Sequence, residues 1–182
     1  MDTSCVGFLF DGLEFQVLLA LSGVELARGP SLPPFDEQAL DPALNRLEAA
    51  GVVSRVGRSL IVERGIANLF RAMGRAGAWA SIRLGDGEAF LYLHRALCLL
   101  VESVGNLYRL IPFECAEGAK AFLLERVAAL ARADQEVVVV LSGGRGEERA
   151  LAVSEFQALD LAALVGKAPV SSDESEGLPW KP

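Results

Sequence analysis

The chain has 182 residues, and 52% of them are apolar, which is enough for a substantial hydrophobic core. Its formal charge of −7 opposes binding to a nucleic-acid polyanion unless the basic residues are segregated onto one surface. The three cysteines, Cys5, Cys98 and Cys115, are odd in number and include no close pair, so the sequence suggests neither a disulfide framework nor a zinc knuckle and favours a reducing cytosol.

The sequence contains no signal that would place the chain in or across a membrane. Its apolar runs are far shorter than the roughly 20 residues of a membrane helix, and the N-terminus lacks the basic region of a secretion signal. We therefore expect a folded cytoplasmic protein with no membrane contact.

The N-terminal region predicts two helices separated by a connector. Gly12 to Ser22 carries apolar residues at helical spacing, and Gly23 is placed to end that helix. The connector Arg28 to Pro34, RGPSLPP, is too rich in glycine and proline to be regular helix. A short middle helix is predicted over Asp36 to Leu40.

The stretch DPALNRLEAAGVVSRVGRSLIV, Asp41 to Val62, predicts a helix followed by a hairpin. Asp41 is expected to cap the helix, Pro42 to occupy its first position, and Gly51 to end it. Two short β-prone runs then flank Gly57-Arg58, which is typical of a compact turn.

This pattern of helix, glycine and hairpin resembles the winged helix-turn-helix superfamily over about thirty residues. In DNA-binding members of that superfamily the exposed helix face enters the major groove and the wing touches the backbone. The resemblance implies Asn45 and Arg46 on the helix, and Arg55 and Arg58 on the wing, as candidate nucleic-acid or anion contacts.

The local charge of this region has two interpretations. Six arginines between Arg46 and Arg75 face only Glu48 and Glu63, a net charge of +4, which favours anion binding. The alternative is an ordinary solvated surface on a helix and a hairpin. The next helix, with Ile66, Leu69, Phe70 and Met73 on one stripe, is predicted to pack into the core.

From Ala78 the apolar period changes to two, which predicts an antiparallel meander. Its strands run over Ala78 to Leu84, Glu88 to His94, Leu97 to Ser103 and Leu107 to Phe113. The second and third strands are apolar on both sides of the pleat, so both faces of the sheet require a cover.

The C-terminal part predicts one cover for that sheet, a helix over Ala116 to Ala133. A buried strand over Val137 to Leu141, a partner strand over Arg149 to Glu155 and a last helix over Phe156 to Val165 are expected to follow. The remaining sheet face is covered either by the N-terminal unit or by a second subunit.

These elements predict an α+β fold in three segments. Residues 1–77 form a winged-helix-like unit, 78–167 an antiparallel sheet packed with one or two helices, and 168–182 a disordered tail rich in Ser, Pro and acidic residues. If a partner or a second copy covers the open sheet face, the contact surface is expected at four apolar positions: Phe90, Tyr92, Leu99 and Val101.

The sequence shows no catalytic constellation, and no metal or cofactor is predicted. His94 is the only histidine, without a paired nucleophile or second metal ligand. The glycine-rich Gly143 to Gly146 lacks the lysine and hydroxyl residue of a phosphate loop, so a hairpin loop is expected. Cys115 precedes a helix but has no evident base.

Two functional hypotheses from different classes follow. The first is a non-catalytic protein-interaction module, an adaptor, chaperone or assembly factor, because the chain is acidic and its strands are apolar on both sides. The order of a helical unit, a meander and a helix is also loosely similar to bacterial secretion-chaperone folds. The second is a DNA-binding transcriptional regulator whose C-terminal region dimerises or binds an effector.

Overall fold

A computed structural model describes residues 7–26, 29–84, 87–95, 97–131, 137–142 and 148–166 of the chain. Within these ranges the protein has a large antiparallel sheet with helices packed on both faces. The predicted α+β class is therefore confirmed.

A short strand, β1 (Phe8–Asp11), leads directly into the first helix, α1 (Gly12–Leu21). The junction is fixed by a reciprocal pair of hydrogen bonds between Asp11 and Glu14. The Asp11 carboxylate accepts from the Glu14 backbone N–H at 2.9 Å, and the Glu14 carboxylate accepts from the Asp11 N–H at 3.0 Å. Two helix-terminal donors are thereby satisfied, and the direction of α1 relative to β1 is set.

The second helix, α2 (Leu40–Ala49), begins one residue before the predicted cap. A single 3-10 turn, Glu37–Ala39, runs straight into it, so the backbone is already helical before Asp41. The prediction that Asp41 is the cap is therefore wrong. The capping carboxylate belongs to Asp36, which accepts from the backbone N–H groups of Gln38 and Ala39. Pro42 is the third helical residue, where its missing N–H still costs no helical hydrogen bond.

The predicted hairpin is present as β2 (Val53–Val56) and β3 (Ser59–Val62), and a third helix, α3 (Arg64–Gly74), follows it. Gly51 at the end of α2 and Gly57 in the hairpin turn both have positive φ, at 71° and 61°. These are the conformations that glycine adopts without steric cost. Local turn chemistry therefore accounts for the path of this unit.

The large sheet contains seven described strands, and the four-strand meander is at its centre as predicted. The strand order is β1-β7-β6-β5-β4-β8-β9, with antiparallel pairing throughout. Besides β1, the strands are β4 (Ala78–Leu84), β5 (Gly87–His94), β6 (Leu97–Val104), β7 (Leu107–Phe113), β8 (Val137–Ser142) and β9 (Glu148–Leu151).

Strand β1 is a feature that the sequence pattern does not predict. It pairs with β7, with Phe8 opposite Leu110 and Phe10 opposite Tyr108, and forms one edge of the sheet. The N-terminal region thus contributes one strand to the sheet, in addition to the helices that pack on it. The division of the chain at residue 77 stays a prediction.

The C-terminal part differs from the sequence expectation in detail. Helix α4 (Ala116–Ala131) is present as predicted, but the strand expected to reach Glu155 ends at Leu151. The Glu155 carboxylate accepts from the Ala152 backbone N–H at 2.9 Å, which starts helix α5 (Val153–Ala158). An extended residue, Leu159, then separates α5 from α6 (Leu161–Gly166), so the single predicted last helix is two.

Two hydrophobic cores lie on opposite faces of the sheet. Helices α1, α2 and α3 cover one face, where Phe15 stacks on Tyr108 with ring centroids 4.9 Å apart and also contacts Phe70. Helices α4, α5 and α6 cover the other, around Leu123 and Phe156. Each such fully buried side chain contributes about 1.5–3 kcal/mol, so both covers are firmly attached.

Two sequence predictions fall outside the described residues: the loop Gly143 to Gly146 and the tail 168–182. None of the helices in the described part of the chain has the length and hydropathy that a membrane crossing requires.

Candidate partner-binding surface

Arg46, a predicted anion contact, is already paired with two carboxylates of the N-terminal region. Its Nε donates to Glu14 Oε1 at 2.7 Å, and its Nη2 contacts Asp11 Oδ2 at 2.5 Å. The hydrogen bond to Glu14 is the main cause that raises the pKa of the guanidinium. Arg46 therefore joins α2 to the start of α1, and its charge is neutralised within the molecule.

The other predicted anion contacts do not converge on one site. On the hairpin, Arg55 Nε donates to Glu48 Oε1 on α2 at 3.0 Å. Arg58 is exposed in the hairpin turn, and Asn45 is exposed on α2. Among the described residues Arg58 has no ion pair. Two of the three candidate arginines thus have their charge matched, which weakens a phosphate-binding site here.

The four apolar positions predicted as a partner surface are buried, so that prediction is wrong. Phe90, Tyr92, Leu99 and Val101 belong to the core beneath α1 and α3. The sequence left open whether the N-terminal unit or a second subunit covers this face, and the N-terminal helices do so. Burial, with a smaller effect of Glu88, raises the pKa of Tyr92 well above its usual value.

A different apolar surface is exposed at one corner of the sheet. Leu9 on β1 is 60% exposed, Val104 at the end of β6 is 70% exposed, and Leu107 at the start of β7 is 48% exposed. We call these three residues the sheet corner. Phe8, on the opposite face of β1, is also partly exposed.

Strand register places the three residues of the sheet corner on one face, where Leu107 has Asp11 as its direct partner on β1. Leu107 pairs with Val104, so their Cβ atoms are about 4.5–5.5 Å apart. Leu9 pairs with Arg109, which makes Leu9 the diagonal neighbour of Leu107 at about 7–8 Å. All three side chains point to the face that α4 covers elsewhere, because Ile111, two residues beyond Arg109, lies in the core under α4.

On the face that α4 covers, ion pairs occupy the row of Glu102 and Arg109 next to the sheet corner. Near the end of α4, Arg126 Nη2 donates to Glu102 Oε2 at 3.2 Å, and Arg109 Nη1 lies 3.8 Å from the same oxygen. Arg126 also lies over the Phe122 ring. Glu102 is thus nearly buried by charged partners, whereas Val104, two residues further along β6, is exposed.

The sheet corner lies at an unprotected edge. Strand β1 is paired on one side only, with β7, so within the described residues its outer backbone groups pair with no strand. Such an edge presents backbone donors and acceptors to a further chain. Apolar side chains next to an open edge form the arrangement that proteins use to bind extended segments of a partner.

The polar groups singled out from the sequence do not form a reactive site. His94 lies at the end of β5 and is partly buried. Cys115 is exposed before α4, where its Sγ accepts from the Gly118 N–H at 3.4 Å, and burial raises the pKa of Cys98. No group of three or more His, Cys, Asp or Glu side chains that could hold a metal ion occurs among the described residues.

The sequence alone could not identify the sheet corner. Leu9, Val104 and Leu107 follow the same alternation as buried neighbours, and tertiary packing decides which apolar strand positions the helices cover. The one available signal was the turn Gly105-Asn106 with an apolar residue on each side.

No protein-family model and no curated protein sequence matches the chain. Among solved structures, a similar fold occurs in the structure of the Mycobacterium tuberculosis type VII secretion system chaperone EspG5 in complex with PE25-PPE41 dimer. The match has a TM-score of 0.53 at 10% sequence identity, and it covers 91% of this chain and 98% of that chain. At this identity the similarity concerns the fold.

Proposed function

We propose that the chain is a non-catalytic protein-interaction module, an adaptor, chaperone or assembly factor that contacts its partner through the sheet corner. The observation that carries the proposal is the exposure of Leu9, Val104 and Leu107 beside the open edge of β1. Apolar side chains grouped at an open strand edge are costly to leave in water and are typical of interaction sites.

The fold similarity supports the same class of function. EspG5 is described as a secretion-system chaperone in complex with a protein dimer, and this chain matches its fold over 91% of its length. A partner for the present chain is accordingly another protein or a second copy of this chain. The buried positions Phe90 and Val101 take no part, since the helices of the chain itself cover them.

A pull-down from cells that produce the chain tests this proposal. The double variant Leu9→Ser with Leu107→Ser removes two apolar side chains from the sheet corner. The control, Leu32→Ser with Phe35→Ser, removes two exposed apolar side chains from the segment before α2. Proteins retained by the parent and by the connector variant, but lost with the corner variant, are the expected result. Equal retention by both variants would contradict the proposal.

A DNA-binding regulator is the alternative, and the exposure of Asn45 and Arg58 beside the hairpin is the observation in its favour. The resemblance to winged helices stays a prediction. The pairing of Arg46 and Arg55 with carboxylates weighs against this alternative. Three results together would support this alternative: the chain binds duplex DNA at low salt, its affinity falls steeply as the salt concentration rises, and the Arg58→Ala variant binds more weakly than the parent.

A further inference from the structure

Helix α3 carries a basic stripe on its exposed face. Arg64 and Arg71 are seven residues apart on α3, which places them on one side of the helix, and Arg75 is the exposed residue that follows the helix end at Gly74. The opposite side packs into the core through Ile66, Leu69, Phe70 and Met73. The helix contains no acidic residue, and Arg71 Nη1 donates to Asn68 Oδ1 at 3.2 Å on the same exposed side.

The outer face of the neighbouring hairpin is uncharged and carries two exposed apolar side chains. Val56 is 60% exposed and Ile61 is 50% exposed. They are diagonal neighbours on one face, because Val56 pairs with Ser59 and Ser54 pairs with Ile61. Arg55, the arginine within strand β2, lies on the other face of the hairpin, where it pairs with Glu48.

The hairpin face adjoins the start of the basic stripe at Arg64. Ile61 precedes Arg64 by three residues, so their Cα atoms are at most about 11 Å apart, and Arg58 adjoins Val56 across the turn residue Gly57. Residues 52–75 contain five arginines and one glutamate, a net charge of +4 in a chain of −7. That glutamate, Glu63, already accepts from the Ile66 backbone N–H at the start of α3.

We propose that Val56, Ile61, Arg58, Arg64, Arg71 and Arg75 form a second docking surface, the arginine–hairpin surface, which binds an acidic amphipathic segment of a partner protein. Charge complementarity identifies the occupant: the four exposed arginines, which have no acidic ion-pair partner among the described residues, are complementary to carboxylates, and the two exposed apolar side chains are complementary to an apolar stripe. The surface is separate from the sheet corner, and the proposal stands independently of that one.

An acidic protein segment fits this surface better than duplex DNA. A phosphate backbone would contact the arginines but would leave Val56 and Ile61 against charged, hydrated groups, where their apolar area gains nothing. A partner segment with alternating carboxylate and leucine positions satisfies both kinds of residue. Arginine is well suited to such contacts because its planar guanidinium binds a carboxylate through two hydrogen bonds.

Fluorescence anisotropy of the full chain with a labelled synthetic helix of repeated Glu-Glu-Leu-Leu units tests the proposal. The double variant Arg64→Ala with Arg75→Ala is expected to weaken binding by about tenfold, since it removes two of the four exposed arginines that would pair with carboxylates of the helix. The matched control is Arg95→Ala with Arg149→Ala, two exposed arginines outside this surface with the same loss of charge. The control is expected to bind as the parent does.

The apolar half of the surface is tested by Val56→Ser with Ile61→Ser. Binding of the Glu-Leu helix should fall severalfold, whereas the weak, salt-sensitive binding of poly-glutamate should stay unchanged. Equal effects of the arginine variant and its control would overturn the proposal, as would tighter binding of duplex DNA than of the helix. Neither result would affect the pull-down test of the sheet corner, which changes other residues.

Discussion

Individual polar residues of this chain mainly connect its own secondary-structure elements to one another. Arg46 was expected to contact a nucleic acid or another external anion. It instead binds two carboxylates of this chain, which lie 32 and 35 residues away in the sequence. Its role could not be predicted from neighbouring residues, because the packing of α1 on α2 brings these charges together. The local excess of arginine was visible in the sequence, but the carboxylates that pair with Arg46 were not.

Glu63 provides a pH-dependent contribution at the start of α3. Hydrogen bonds from the backbone N–H groups of Gly65 and Ile66 lower the pKa of its carboxyl group below 4.5. A lowered folded-state pKa means that the stabilisation is present above the unfolded pKa and is lost as the pH falls through the folded value. We expect Glu63→Gln to cost roughly 0.5–1 kcal/mol at pH 7.

Urea unfolding at pH 7 and at pH 3 measures this effect. The difference between Glu63→Gln and the parent should shrink at the lower pH. Glu25→Gln, in an exposed connector, is the control and should stay within about 0.5 kcal/mol of the parent at pH 7. A constant difference for Glu63→Gln at both pH values would refute the capping role.

Gly12 is the residue at which three parts of the chain meet. A Cβ atom there would lie 2.3 Å from Asn106 Oδ1 in the β6–β7 turn and 2.5 Å from Pro33 Cγ in the connector. We expect Gly12→Ala to destabilise the protein by about 1–3 kcal/mol, because a proline ring cannot rotate away. Gly118→Ala in α4 meets only ordinary contacts and should stabilise it by about 0.4–1 kcal/mol. Chemical unfolding of both variants distinguishes the two cases.

At the scale of elements, the sequence predicts those structures whose signals are local. The hairpin β2–β3 and the meander follow from alternation and from glycines in turns, such as Gly57 and Gly105 with positive φ. Strand β1 was missed because four residues carry little periodicity and its partner β7 is distant in the sequence. The sheet corner was missed for a related reason, since tertiary packing decides which apolar strand positions the helices cover.

The reciprocal hydrogen bonds between Asp11 and Glu14 at the start of α1 link this helix to the sheet. Their loss should therefore lower the free energy of unfolding by more than one hydrogen bond contributes. We expect Asp11→Ala to cost about 1–2 kcal/mol, since it removes both the cap and one partner of Arg46. Asp36→Ala removes the cap of an exposed 3-10 turn and should cost less. Equal losses in thermal unfolding would show that the junction adds nothing.

At the scale of the whole molecule, the N-terminal unit and the meander share one core. Phe15 and Phe70 from helices contact Tyr108 or its neighbours on the sheet, and the cluster extends from Phe10 to Leu110. This arrangement explains why an apolar sheet face in the sequence does not become a partner surface. Among the described residues, the large apolar side chains that stay exposed lie at the sheet corner, on the hairpin, in the segment before α2, and at Phe8 and Leu21.

A shared core predicts cooperative unfolding of residues on both sides of the division at residue 77. Phe15→Ala should destabilise the protein by about 3–5 kcal/mol, and β7 should lose amide protection together with α1. Hydrogen exchange with and without urea measures this coupling. Protection of β7 that persists after α1 has opened would support two independent domains instead.

The central claim, that the sheet corner contacts another protein, is tested most directly by site-specific photo-cross-linking in cells that produce the chain. A photoreactive phenylalanine analogue at Leu9 or at Leu107 should yield an adduct of defined mass, identified by mass spectrometry as a partner or as a second copy. The same analogue at the exposed connector residue Leu32 should yield none. No adduct at either corner position, or the same adducts at all three positions, would contradict the account.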